Sequence, residues 1–272
     1  MASQSYAGNL NTFTINAASQ LEFLQNANLT FEEVHEEGAP AARFGGNAQG
    51  TKKRGTITAS IFSDSSTDIR VSHLGLSAAV LGAVDLLSPN ILSRLTFNLE
   101  YEHKLSPGTG LLWEIPVVAD GRISATLELS HDSSAAPTSL IAFFSATYAN
   151  LNLTLDFTIG GVQFQVPFRL ASAVMPVEKA GLITYTLTMS DRSARSGVTV
   201  LPSGSTTLIE KAINAPRTAI AFAFKAKAHP TIEVSGNMVY KSFNMEIRDG
   251  GLVPSSFTWA TQGTVTGAAS AS

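Results

Sequence analysis

The chain has no cysteine among its 272 residues. That absence excludes a disulfide framework, a thiolate metal site and a thiol nucleophile. Charge is also scarce. Asp, Glu, Lys and Arg make up 14% of the residues, against about a quarter in an ordinary soluble domain. So little charge on a chain that is 44% hydrophobic implies surface that other subunits cover. The net charge of −3 offers no basic face for nucleic acid, and Lys52-Lys53-Arg54 is the only basic run. No apolar stretch is long enough to cross a bilayer. The N-terminal Met1-Ala2-Ser3-Gln4-Ser5 lacks the basic and apolar regions of a secretory signal. The expectation is folding in a cytoplasm, with no membrane partner.

The groups that enzyme chemistry requires are missing as well. His35, His73, His103, His131 and His229 are scattered, and His35-Glu36-Glu37 is not the H-E-x-x-H of a zinc protease. No Gly-x-Ser-x-Gly elbow occurs. Gly45 to Gly50 approaches a phosphate loop, but Thr51 stands where its Lys belongs and no helix pattern follows. Glu32, Glu33, Glu36 and Glu37 run along one segment, whereas paired catalytic carboxylates face each other across a cleft. Neither catalysis nor a metal or cofactor is expected.

What the chain does have is repetition. Asn28-Leu29-Thr30-Phe31 returns as Asn152-Leu153-Thr154-Leu155, displaced by 124 residues. Gly55-Thr56-Ile57-Thr58 returns as Gly181-Leu182-Ile183-Thr184, displaced by 126. Leu95 to Leu99 is echoed by Ile220 to Phe224, displaced by 125. Ser124 to Leu129 resembles Ser242 to Ile247, displaced by 118. Such anchors point to two halves of similar fold.

Clean apolar–polar alternation predicts strands near 29–34, 57–61, 95–99, 123–129, 153–157, 183–189, 220–224 and 243–247. Leu76, Val80, Leu81, Val84 and Leu87 recur at helical spacing before Pro89. Thr207-x-x-Glu210 reads as a capping box opening a second helix. Glu36 to Arg54 reads as a long loop, and 133–138 as a linker. The predicted fold is therefore mainly β: two tandem, similar β-sandwich or barrel domains, each with a flanking α-helix. Its divisions are an N-terminal arm over 1–20, a first domain over 21–135 and a second over 136–272.

This layout of strand, long loop, strand and flanking helix, given twice, resembles the major tail tube proteins of long non-contractile phage tails. The resemblance implies a structural virion protein of the tail, assembled in the host cytoplasm. Rings of such domains stack into a hollow tube through which DNA passes without specific binding. Most members of that family give one domain to a six-membered ring, so a two-domain chain implies three copies and pseudo-sixfold symmetry. The partners implied are further copies of the chain and other tail proteins. On this reading Glu32, Asn98, Glu100, Asp156, Thr184, Thr186 and Thr188 line the lumen. Glu36, Glu37, Gly45, Gly46, Gly50, Lys52, Lys53 and Arg54 belong to a loop reaching the adjacent ring. The alternatives are another virion part, such as a capsid decoration or tail terminator, and a secreted β-sandwich binding module. For the last, Asp64 and Asp68 are too sparse to hold calcium.

Overall fold

The computed structural model describes residues 10–16, 18–19, 24–35, 51–61, 76–82, 84–87, 92–105, 113–131, 152–159, 162–176, 183–191, 199–201, 208–226, 231–248 and 255–270. Among these residues, fifteen strands share one antiparallel sheet. Before residue 135 they are β1 Leu10–Ile15, β2 Ala18–Ser19, β3 Leu24–His35, β4 Thr51–Ile61, β5 Leu76–Leu81, β6 Val84–Asp85, β7 Leu92–Leu105 and β8 Pro116–His131. After it come β9 Asn152–Ile159, β10 Val162–Val174, β11 Ile183–Asp191, β12 Thr199–Leu201, the helix α1 Leu208–Asn214, β13 Ile220–Ala226, β14 Thr231–Arg248 and β15 Ser255–Ser270.

The eight stretches predicted as strands are strands. Their pairing, however, crosses the expected division at residue 135. β1 pairs β13, β7 pairs β14, β4 pairs β15, β8 pairs β11 and β5 pairs β9. The described strands thus form one sheet in place of two separate ones. An array of eight runs β3-β4-β15-β14-β7-β8-β11-β10. Beyond it, β9 and β5 continue from β10, and β1 continues from β13 beside the first half of β14.

The core lies on one face because side chains alternate along each strand. Strand β7 buries Leu95, Phe97 and Leu99 while Thr96 and Asn98 look the other way. The sheet curls over its own apolar face. Phe97 on β7 lies 5.9 Å from the ring of Phe157 on β9, although three strands separate them in the sheet. At the other end, Phe13, Leu29, Ile57 and Phe222, from β1, β3, β4 and β13, line a common crevice. Trp259 stacks on Phe257 at 5.3 Å. The helix is held by two phenols. Tyr240 donates to the Leu208 carbonyl at 2.6 Å, and Tyr101 donates to that of Ala212.

Three expectations are corrected here. The stretch 76–87 is not a helix but β5, a reversal at Gly82 with φ 62°, and β6. The reversal resets the strand phase, so apolar residues on two short strands fall at spacings of three and four. Leu10–Ile15 is not part of a free arm, since β1 buries Phe13 and Ile15. The stretch 51–54 is not loop but the start of β4, where Arg54, Lys53 and Lys52 face Glu32, Glu33 and Val34 of β3. Opposite charges across a ladder favour pairing even where apolar residues are few. The helix near 207–214 is present from Leu208. Thr207, the 133–138 linker and Glu36, Glu37, Gly45, Gly46 and Gly50 lie outside the described residues.

Candidate functional site: one polar face

The core's opposite face carries the feature of interest. Cross-strand partners in a β-ladder point the same way, so the register identifies each row of neighbours. One row crosses eight strands: Asn26, Ser60, Ser256, Asn244, Asn98, Ser124, Ser190 and Arg169. A second runs Asn28, Thr58, Thr258, Ser242, Glu100 and Arg122. A third runs Glu246, Thr96, Thr126, Thr188 and Ser172. Almost every position in these rows is a small hydroxyl, an amide or a charge.

All seven residues named as lumen-lining lie on the side of the sheet away from the core, but β9 packs across that core from β7, so Asp156 faces away from Asn98 and Glu100. Asn98 and Glu100 lie on β7, Thr184, Thr186 and Thr188 on β11, Asp156 on β9, and Glu32 at the end of β3. Their charges have partners nearby. Asp156 accepts from Gln163 at 2.7 Å and from Gln165 at 3.0 Å. Glu100 faces Arg122 across the ladder. Arg94 sits between Glu246 at 3.0 Å and Glu128 at 3.2 Å. The hydrogen bond and charge of Glu246 hold the Arg94 guanidinium above its ordinary pKa. Asn244 donates its amide to Asn98. The result is a hydroxyl- and amide-rich surface whose charges are mixed in sign.

The residues named for inter-ring contact are engaged within the chain where they are described. Arg54 donates to Glu114 from Nε at 2.6 Å and from Nη2 at 3.2 Å. That bond, ahead of the cost of burial, raises the guanidinium pKa. The Glu114 side chain is only 5% exposed. Lys53 Nζ reaches Glu33 at 4.0 Å. Trp113 beside them packs edge-on against Phe31 at 5.8 Å. Together these contacts bind the 113–115 segment to the outer end of the β3–β4 pair. Sequence reasoning missed Glu114. Its only signal was an isolated acid in the apolar run Leu111-Leu112-Trp113-Glu114-Ile115.

Among the described residues, no three His, Asp or Glu side chains converge as metal ligands. No described helix is long and apolar enough to cross a membrane. His103 is half-buried, with Nε2 2.7 Å from the Tyr240 carbonyl, and burial pushes its pKa down.

No family model matches the chain, and no curated protein matches it either. Among solved structures, it is similar to a chain from "Virion of native gene transfer agent (GTA) particle". The two are 17% identical, with a TM-score of 0.29, over 48% of this chain and 86% of that one.

Proposed function

We propose that this chain is a non-enzymatic structural protein of a virion tail, and that three copies close into rings that stack as a hollow tube. The observation that carries the reading is the polar face: three register rows of Ser, Thr, Asn and paired charges across the eight-strand antiparallel array. A wall that must let a polyanion slide should offer hydrogen-bonding water layers and no run of cations. This face has that chemistry.

The ends of the eight-strand array support closure. At one end β3 has no second neighbour among the described residues. At the other, the described part of β9 ends opposite Arg169, leaving the outer side of β10 without a described partner from Leu170 to Val174. Strand directions alternate throughout, so β3 of one copy meets β10 of the next in antiparallel sense. Joining them removes two open edges. Three copies give about 24 strands at about 4.8 Å each, hence a barrel roughly 37 Å across before tilt. That width clears a DNA duplex. Two similar halves joined in one sheet, with the segment around 36–50 reaching the neighbouring ring, belong to the same proposal.

Electron microscopy of the overexpressed protein tests it. Tubes of uniform bore with threefold rings are expected, and deletion of residues 40–50 should leave folded subunits that do not polymerise. A monodisperse monomer at every concentration and salt condition would overturn the reading.

A further inference from the structure

Outward from the Asn98–Asn244 pair, the register reads the same in both directions. Strand β7 leads to β8, β11 and β10, and β14 leads to β15, β4 and β3. The sequences correspond once the register aligns them. Thr56-Ile57-Thr58-Ala59-Ser60 matches Thr186-Leu187-Thr188-Met189-Ser190, and Phe97-Asn98-Leu99-Glu100 matches Phe243-Asn244-Met245-Glu246. Two seams result, β4 on β15 and β11 on β8. On the polar face they are alike: Ser60 and Thr58 face Ser256 and Thr258, as Ser190 and Thr188 face Ser124 and Thr126. At these positions the polar side does not tell β4 to dock on β15 instead of β8.

The core side does. Ala59 faces Phe257, and Met189 faces Ala125, all four buried. Each seam pairs one small residue with one large, but with the large one on opposite partners. Exchanged docking in the same register sets Ala59 against Ala125, which leaves a void, and Met189 against Phe257, which overfills the space.

We infer that Ala59, Phe257, Met189 and Ala125 decide which strand pair docks on which, and that without this size code the β3–β4 pair also docks on β8 of a second copy of the chain. Exchange of an identical element is a low-cost route to association, and an assembly concentrates copies. The inference rests on the register and burial alone, not on the tube reading.

The absence of cysteine makes disulfide reporters clean. In the natural background, Thr58→Cys/Thr258→Cys should form an intrachain disulfide and Thr58→Cys/Thr126→Cys none. With the sizes equalised by Ala59→Met/Phe257→Ala, Thr58→Cys/Thr126→Cys should yield disulfide-linked dimers on a non-reducing gel. Met189→Ala/Ala125→Phe provides an independent equalised background should the first fail to fold. Linking of Thr58→Cys/Thr126→Cys in the natural background would overturn the inference. So would its failure to link copies in an equalised background where Thr58→Cys/Thr258→Cys still closes.

Discussion

Arg54→Met should destabilise the chain more than Glu114→Gln, although both cut the same ion pair. The two partners differ in exposure: the Arg54 side chain is 44% exposed and that of Glu114 only 5%. Removing Arg54 strands a carboxylate that has left water behind. Breaking a buried pair from one side costs about 3–5 kcal/mol. Water can approach through the exposed side of Arg54, which reduces the expected loss to about 2–3 kcal/mol. Glu114→Gln keeps the shape and one acceptor, and leaves a cation that already half faces solvent. Its cost should be about 1 kcal/mol, the net worth of one hydrogen bond. The double variant should lose about 2 kcal/mol, less than the sum, because the second change removes the stranded charge. Urea unfolding measures this directly. With a slope of about 2–3 kcal/mol/M, Arg54→Met should lower the midpoint by about 1 M without changing the slope. Equal costs for the two single variants, or additive ones, would refute the view that a desolvated carboxylate governs this contact.

Phe97→Ala should cost about 3–5 kcal/mol in the same assay, since the ring is fully buried between Phe157 and Phe243. Gly55→Ala should cost about 1–3 kcal/mol, because a Cβ there would lie 2.6 Å from Thr261 Cγ2. Gly267→Ala, with its nearest neighbour at 3.9 Å, should stay within about 0.5 kcal/mol. His103 has its pKa lowered in the fold, so the unfolded chain binds the proton first. Its contribution is complete above the unfolded pKa of about 6.5 and is lost as pH falls through the folded value. His103→Gln should flatten the stability–pH curve on the acid side of 6.5 relative to the natural chain.

The polar face was legible in the sequence because strand alternation sorts residues into two sets without knowledge of neighbours. Glu32, Asn98, Asp156 and Thr188 fall on one side of the sheet for that reason alone. Alternation does not fix an offset, since any even shift preserves it. This is why Gly55–Thr58 was matched to Gly181–Thr184 when the register pairs the role of Thr56–Ser60 with that of Thr186–Ser190. Nor does alternation say which strands join, and so the pairing across residue 135 was out of reach. Strand β10 was missed because Pro167 interrupts it. The proline sits between the stretch that pairs β12 and the stretch that pairs β11, where a missing N–H is tolerated. Glu114 escaped notice because its partner lies 60 residues away.

The seven-residue helix has a further consequence. A segment of that length does not hold its shape in water by itself, and its carbonyls at Leu208 and Ala212 are pinned by hydroxyls from β14 and β7. It therefore has no melting transition of its own. Its amide protons should exchange with deuterium in step with those of the two strands that tether it, so a peripheral-looking turn of chain reports the opening of the sheet's centre.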